Sequence, residues 1–252
     1  YQTNWLINLV IPGLIIMGGL GFIVWFDIAA CIKKEFKRHT KFNKKHLFTS
    51  FSLHTKLVLI VTASLLIGGA VIFYLCEFNN PKTIGNLNLI DQIQISWFQS
   101  ATLRTAGFAS VDMASLHPAT KFMMCIVMFI GGSPAGTAGG IKTVTFALGI
   151  LEVYNIYHGR KEVTVFTRRI PKHLIVRSFA IISMAVSLVI GGIFILSLSE
   201  TAEFIDICFE VVSAFATVGL SASLTPVLTD IGKIVIIILM YVGRIGPITM
   251  II

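Results

Sequence analysis

The chain has 252 residues, 55% of them hydrophobic and only 13% charged, where soluble domains carry about a quarter charged residues. That composition excludes an ordinary soluble enzyme. The net charge of +8 raises nucleic acid as a partner, but 13 of the 20 Lys and Arg fall in two clusters beside apolar runs, seven from Lys33 to Lys45 and six from Arg160 to Arg177. This is the positive-inside pattern of membrane proteins, so both clusters are assigned to the cytoplasm and nucleic-acid binding is set aside. Membrane lipid headgroups or a cytosolic partner are secondary roles for them.

The first apolar run, residues 5–30, lacks a basic segment before it and a small-residue cleavage site after it, so it reads as a membrane helix and not as a signal peptide. Further runs cover 55–76, 122–156, 174–198 and 231–252. At ~20 apolar residues per crossing they predict four or five passes. Because the chain begins at Tyr1 and ends inside an apolar run, a piece of a longer protein is expected.

Between the long runs lies an internal repeat with an offset of 112 residues and no gap. Thr105-Ala106-Gly107-Phe108 aligns with Thr217-Val218-Gly219-Leu220. At the same offset Asp91 matches Glu203, Lys121 matches Lys233, and Met128-Phe129-Ile130-Gly131 matches Met240-Tyr241-Val242-Gly243. A partial third copy stands at the start, where Ile16-Met17-Gly18-Gly19 resembles Phe129-Ile130-Gly131-Gly132. Each unit reads as a basic loop, an apolar helix, a short segment ending in a Gly turn, and a second apolar helix.

The short segments, 90–102 and 203–215, cannot cross a bilayer of ~30 Å as helices. With basic loops on one side of both units, they must enter the membrane and return. Non-helical backbone at that depth survives only when buried in protein or lining a watery path. Asp91 and Glu203 near the helix starts suit the positive end of the dipole, leaving the negative end to point toward a cation. A cation filter needs closely spaced carbonyls and a Gly that tolerates unusual dihedrals. The Thr-x-Gly-apolar cores Thr105, Ala106, Gly107, Phe108 and Thr217, Val218, Gly219, Leu220 meet that need. A buried structural re-entrant loop is the alternative.

Gly131, Gly132, Ser133, Pro134, Ala135, Gly136, Thr137, Ala138, Gly139, Gly140 and Lys142 interrupt a hydrophobic element from about 120 to 158 that would be ~58 Å long as one helix. A phosphate-binding loop is excluded there because Ile141, and not Gly, precedes Lys142. Arg244 lies deep in an apolar run, where a charge is by default a functional hypothesis, with a structural role as partner of Glu210 or of backbone carbonyls as the alternative. Arg104 has Ala216 as its counterpart and is assigned behind the filter, with Glu210 as its expected partner. Cys31, Cys76, Cys125 and Cys208 lie singly and the His residues are scattered, so no metal site other than one for the transported ion is predicted.

The stretch 101–108, the run Met128-Phe129-Ile130-Gly131-Gly132-Ser133-Pro134 with Ala138-Gly139-Gly140-Ile141-Lys142-Thr143, and Gly243-Arg244-Ile245-Gly246-Pro247 resemble the Trk/Ktr/HKT superfamily of potassium transporters, and within it the KtrB-type membrane subunit. The resemblance covers nearly the whole chain. It implies an all-α membrane protein with tandem membrane helix, pore loop, membrane helix repeats around a pseudo-fourfold pore, in the bacterial cytoplasmic membrane. Residues 1–32 would end repeat two, 55–158 would form repeat three, and 173–252 a truncated repeat four, with basic cytoplasmic loops at 33–54 and 159–172.

It further implies K+ as the transported ion, with Na+ as an activating or coupling ion, and a mobile gate at 131–143 below the filter. Arg244 would oppose cation flow until that gate moves, with Arg104 and Glu210 supporting the filter. A nucleotide-binding RCK-type regulatory subunit on the basic face and a homodimer of the full-length subunit complete the expectation. The competing function is a broken-helix secondary transporter with a midplane binding site. A membrane enzyme finds no nucleophile-base constellation to support it.

Overall fold

The computed structural model describes residues 2–36, 48–160, 162–166 and 168–246. Most of the first basic cluster, Lys161, Thr167 and the stretch from Pro247 to Ile252 lie outside the described residues.

The chain opens with α1 (Trp5–Gly19), started by Asn4, whose side chain accepts from the Leu6 and Ile7 amides at 3.1 and 3.3 Å. It then turns by 93° into α2 (Phe22–Phe36). The first apolar run was expected to be one helix and is two. The bend sits at Gly21, with φ of +82°, where a Cβ would overlap the Pro134 carbonyl. Two backbone groups released by the break are satisfied by the glycine-rich loop: Ser133 N donates to Gly19 O at 3.0 Å, and Phe22 N donates to Ala135 O at 3.2 Å.

The third helix, α3 (Leu53–Glu77), is capped by Ser52. After it come α4 (Leu89–Thr102), α5 (Pro118–Phe129) and α6 (Thr143–Tyr157). A small antiparallel ribbon, β1 (Thr164–Val165) with β2 (Arg168–Arg169), stands in the second basic loop and was not foreseen. It leads into α7 (Lys172–Ser199), α8 (Phe204–Phe215) and α9 (Asp230–Ile245).

Among the described residues α3 and α7 are long and apolar enough to cross a bilayer alone, and α1 with α2 make a third span if the bent pair is counted as one. The expected four or five passes are therefore not all continuous helices. The run 122–156 is divided between α5 and α6, and the part of the last run beyond Gly246 lies outside the described residues. The short helices agree closely with the sequence reading. At 14 and 12 residues, α4 and α8 are ~21 and ~18 Å long, too short to span.

These two short helices lie deep in the fold. Phe98 on α4 and Phe209 and Phe215 on α8 are fully buried, as is Met124 of α5. The C-terminal ends of the two long helices are tied by a matched device in each half. Glu77, at the end of α3, accepts from the His117 amide at 2.9 Å, and Glu200, after α7, accepts from the Thr229 amide at 3.2 Å. His117 and Thr229 cap α5 and α9 and stand 112 residues apart, so the carboxylates meet equivalent helix N-termini. Glu77 is fully buried and takes further hydrogen bonds from Asn80 Nδ2 and Thr83 Oγ1, each at 2.7 Å, and from the Thr120 hydroxyl.

Candidate functional site

Each short helix ends where its Thr-x-Gly segment begins. After α4, Ala106 N donates to Thr102 O at 3.1 Å; after α8, Val218 N donates to Ser213 O at 2.9 Å. Thr105 and Gly107 then take φ of +63° and +76°, and Thr217 and Gly219 take +55° and +89°, while the residues between them stay out of the left-handed region. A β-branched residue at positive φ is strained by roughly 1–3 kcal/mol and persists only where the surroundings impose it. Here it occurs twice, at equivalent positions of the repeat. Alternating handedness gathers successive peptide groups on one side of the chain, where a regular strand would send them to opposite sides.

The two segments face each other. A Cβ on Gly107 would overlap the Val218 carbonyl oxygen and lie 3.3 Å from its carbon, whereas one on Gly219 would meet nothing nearer than Gly107 Cα at 4.0 Å. Gln99 Nε2 braces the loop that follows the first segment through Ser110 Oγ at 2.9 Å. On that same loop Asp112 accepts from the Ser115 hydroxyl at 2.5 Å and the Ala114 amide at 3.2 Å, which hold its carboxyl below the ordinary value.

The glycine-rich segment is non-helical from Ile130 to Lys142, and its Gly139 packs against Thr217 of the second filter-like strand. Its ends are fastened by a bridge between Ile130 and Ile141, by Ile141 N donating to Phe129 O at 3.2 Å, and by Thr143 N donating to Gly132 O at 3.1 Å. A Cβ on Gly139 would lie 2.8 Å from Thr217 Cγ2 and 2.9 Å from Ala216 O. Two cations hold consecutive carbonyls of this loop: Arg244 Nη1 donates to Thr137 O and Lys142 Nζ to Ala138 O. A cavity of about 280 Å³ links Arg104, Thr105 and Ala106 above with Thr137 below and Gly18 and Gly19 of α1 at the side.

The expected Arg104–Glu210 pair does not form. Arg104 is 4% exposed and points toward α3, where Nη2 reaches Thr62 Oγ1 at a long 3.5 Å; its Nη1 has no hydrogen-bond partner among the described residues. Glu210 instead accepts from the Ser221 hydroxyl at 2.7 Å and from the Thr225 hydroxyl, which ties α8 to the loop that follows its own strand. The two residues sit in different repeats, and each is turned toward its own. The sequence reading also missed the buried ion pair between Lys121 Nζ and Asp206 Oδ1, 2.6 Å apart. A lysine at the edge of an apolar run was the available signal.

The family model described as "TrkH: Cation transport protein" matches residues 1–252. The chain is 41% identical over 243 residues to the Ktr system potassium uptake protein B of Bacillus subtilis (strain 168), covering 96% of this chain and 52% of that protein. It is 39% identical over 245 residues to the protein of the same name from Vibrio alginolyticus, covering 97% and 51%. The crystal structure of the potassium transporter TrkH from Vibrio parahaemolyticus superposes with a TM-score of 0.75 at 17% identity, over 98% of this chain and 52% of that one. That likeness shows a common helical pore-loop fold. The chain spans about half the length of the curated relatives it matches.

Proposed function

Since this chain belongs to the TrkH cation transport family, whose members are membrane ion transporters and not enzymes, we propose that it carries two of the pore loops through which K+ crosses the cytoplasmic membrane. The observation that carries this reading is the left-handed backbone at Thr105, Gly107, Thr217 and Gly219, repeated at a fixed offset at the ends of two buried short helices. The relatives' names, potassium uptake protein B in both cases, support K+ as the ion.

In this proposal residues 105–108 and 217–220 supply filter carbonyls that replace the ion's hydration shell. The loop 131–143 is the gate, and Arg244 and Lys142 hold it closed through the Thr137 and Ala138 carbonyls. Their charges also oppose a cation arriving from above. Arg104 and Glu210 act at the filter's margins, one toward α3 and one toward the outer loop. Domain boundaries follow the repeats, with 55–158 and 173–252 as successive units and basic cytoplasmic loops between. An RCK-type nucleotide-binding subunit docking on the basic face would bias the gate. The complete subunit would work as a homodimer with Na+ as activator or coupling ion; one relative, from Enterococcus hirae, is named a potassium/sodium uptake protein.

The test is Rb+ uptake by K+-uptake-deficient cells expressing the full-length transporter, wild type against Gly219→Ser. Uptake by wild type with a weakened preference for Rb+ over Na+ in the variant supports the filter; no alkali-cation flux in wild type overturns it. The 93° bend of the α1–α2 pair favours a second reading, a broken-helix secondary transporter. Strict ion coupling with no uncoupled Rb+ flux would select that alternative.

A further inference from the structure

Three ion pairs occur among the described residues, and two of them, Arg169–Glu162 and Lys233–Asp230, are exposed. The third is not. Lys121 and Asp206 retain 6% and 20% of their side-chain exposure, with Nζ and Oδ1 2.6 Å apart.

The pair joins different repeats. Lys121 lies in the first turn of α5, and Asp206 lies in the first turn of α8, the short helix that ends at the second filter-like strand. Asp206 suits the positive end of its own helix; Lys121 does not, since a cation at a helix N-terminus is disfavoured. A lysine this enclosed and this placed depends on its carboxylate partner, because an unpaired buried charge is strongly destabilising. At the opposite end of the same two helices, the rings of Phe129 and Phe215 lie 6.0 Å apart. Phe129 precedes the glycine-rich loop and Phe215 precedes Ala216 and Thr217. The helix α8 is thus pinned to α5 at both ends, by charge outside and by rings inside.

A 12-residue helix is a stiff rod, so a shift at Asp206 is carried to Phe215 and onward to Thr217 and Gly219. Filter selectivity depends on the spacing of its carbonyls, which a supporting shell must hold to about 0.5 Å. We propose that Lys121 and Asp206 form a positioning pair that sets the second pore loop against the first and thereby fixes the preference for K+ over Na+. This inference rests on the filter reading given under the proposed function.

The experiment compares Rb+ and Na+ uptake by the full-length transporter in K+-uptake-deficient cells for wild type, Lys121→Met, Asp206→Asn, Lys121→Arg and the swap Lys121→Asp/Asp206→Lys, with membrane abundance measured in parallel. Each neutralised variant should lower the Rb+/Na+ ratio about three- to tenfold. The charge-conserving Lys121→Arg and the swap should stay within about twofold of wild type. A merely structural role would reduce abundance and leave the ratio of the remaining transporters unchanged.

Neutralised variants with a wild-type ratio, or a swap that does not restore it, overturn the proposal. If a neutralised variant fails to accumulate, the swap carries the test alone: a retained ratio supports the pair and a lost ratio sinks it. Failure of wild type to take up Rb+ would overturn the filter reading itself, a result distinct from every outcome among the variants.

Discussion

Gly139 of the intramembrane loop lies against Thr217 of the second pore loop, with room for no more than a hydrogen at its Cα: an added Cβ would stand 2.8 Å from Thr217 Cγ2 and 2.9 Å from Ala216 O. Loop and strand are therefore in direct contact. A methyl group at position 139 must push the loop down or the strand up, and the loop, held by backbone bonds at its ends, is the more easily displaced. Gly139→Ala should raise the maximal rate of Rb+ uptake about three- to tenfold with a smaller change in apparent KM. A fall in rate accompanied by lost selectivity would mean that the strand moved instead.

On the proposed filter reading, Gly107 and Gly219 should not respond alike. Both have positive φ, but only Gly107 faces an atom, the Val218 carbonyl, that a Cβ would overlap; Gly219 has open space around it. Gly219→Ser should keep measurable flux and lose K+ preference. Gly107→Ser should lose flux for both ions, as read by parallel Rb+ and Na+ uptake. Equal behaviour of the two variants would contradict the facing arrangement of the loops.

Removing the cations that hold the loop should act in one direction. Arg244→Gln and Lys142→Gln each withdraw a charged donor from a loop carbonyl and, on the proposed gating reading, a positive charge from the ion's route. Each should increase uptake in the absence of a regulatory subunit, and the double variant should exceed either. Because the two donors act on adjacent carbonyls, their effects should not add independently; a double-mutant cycle on initial uptake rates measures that coupling.

Glu77 offers a stability test remote from the ion path. A neutral Gln there keeps one acceptor oxygen where the carboxylate offers two, in a fully buried site with four donors converging on it. Hydrogen bonds to charged groups contribute about 1.5–3 kcal/mol each, so Glu77→Gln should destabilise by ~3 kcal/mol or more. The readout is a lowered unfolding temperature of the detergent-solubilised protein. Glu200→Gln, at the half-buried equivalent position, should lower it less.

Much of this architecture could be read from the residues because it obeys local rules. The segments 90–102 and 203–215 are too short to cross, end in Gly turns and repeat at a fixed offset, and they become α4 and α8 almost to the residue. The run of small residues from Gly131 likewise marks the place where α5 stops, since Gly and Pro at that density cannot continue a helix. What escaped depends on contacts across the chain. The 93° bend at Gly21 is stabilised by hydrogen bonds from a loop more than 100 residues away; the match of Gly18-Gly19 to Gly131-Gly132 marks the place of the break, but not its partners. The left-handed Thr105 and Thr217 run against the intrinsic preference of a β-branched residue, so no propensity argument reaches them. Arg104 and Glu210 were paired because opposite charges near one filter invite pairing, but the side chains turn toward different neighbours, a matter of helix rotation that sequence distance does not encode.

The bonds between Gly19 and Ser133 and between Phe22 and Ala135 make the bent first helix a party to any movement of the loop. If the loop departs, the broken helix is left with an unmet carbonyl and an unmet amide at a depth where lipid offers neither. Water reaching the cavity beside Gly18 and Gly19 is the available substitute, so on the proposed gating reading the loop swings away only where water enters that corner. Each exchanged bond is worth ~1 kcal/mol net when water is the substitute and several times more when it is not. On that reading, hydration of the corner accompanies permeation.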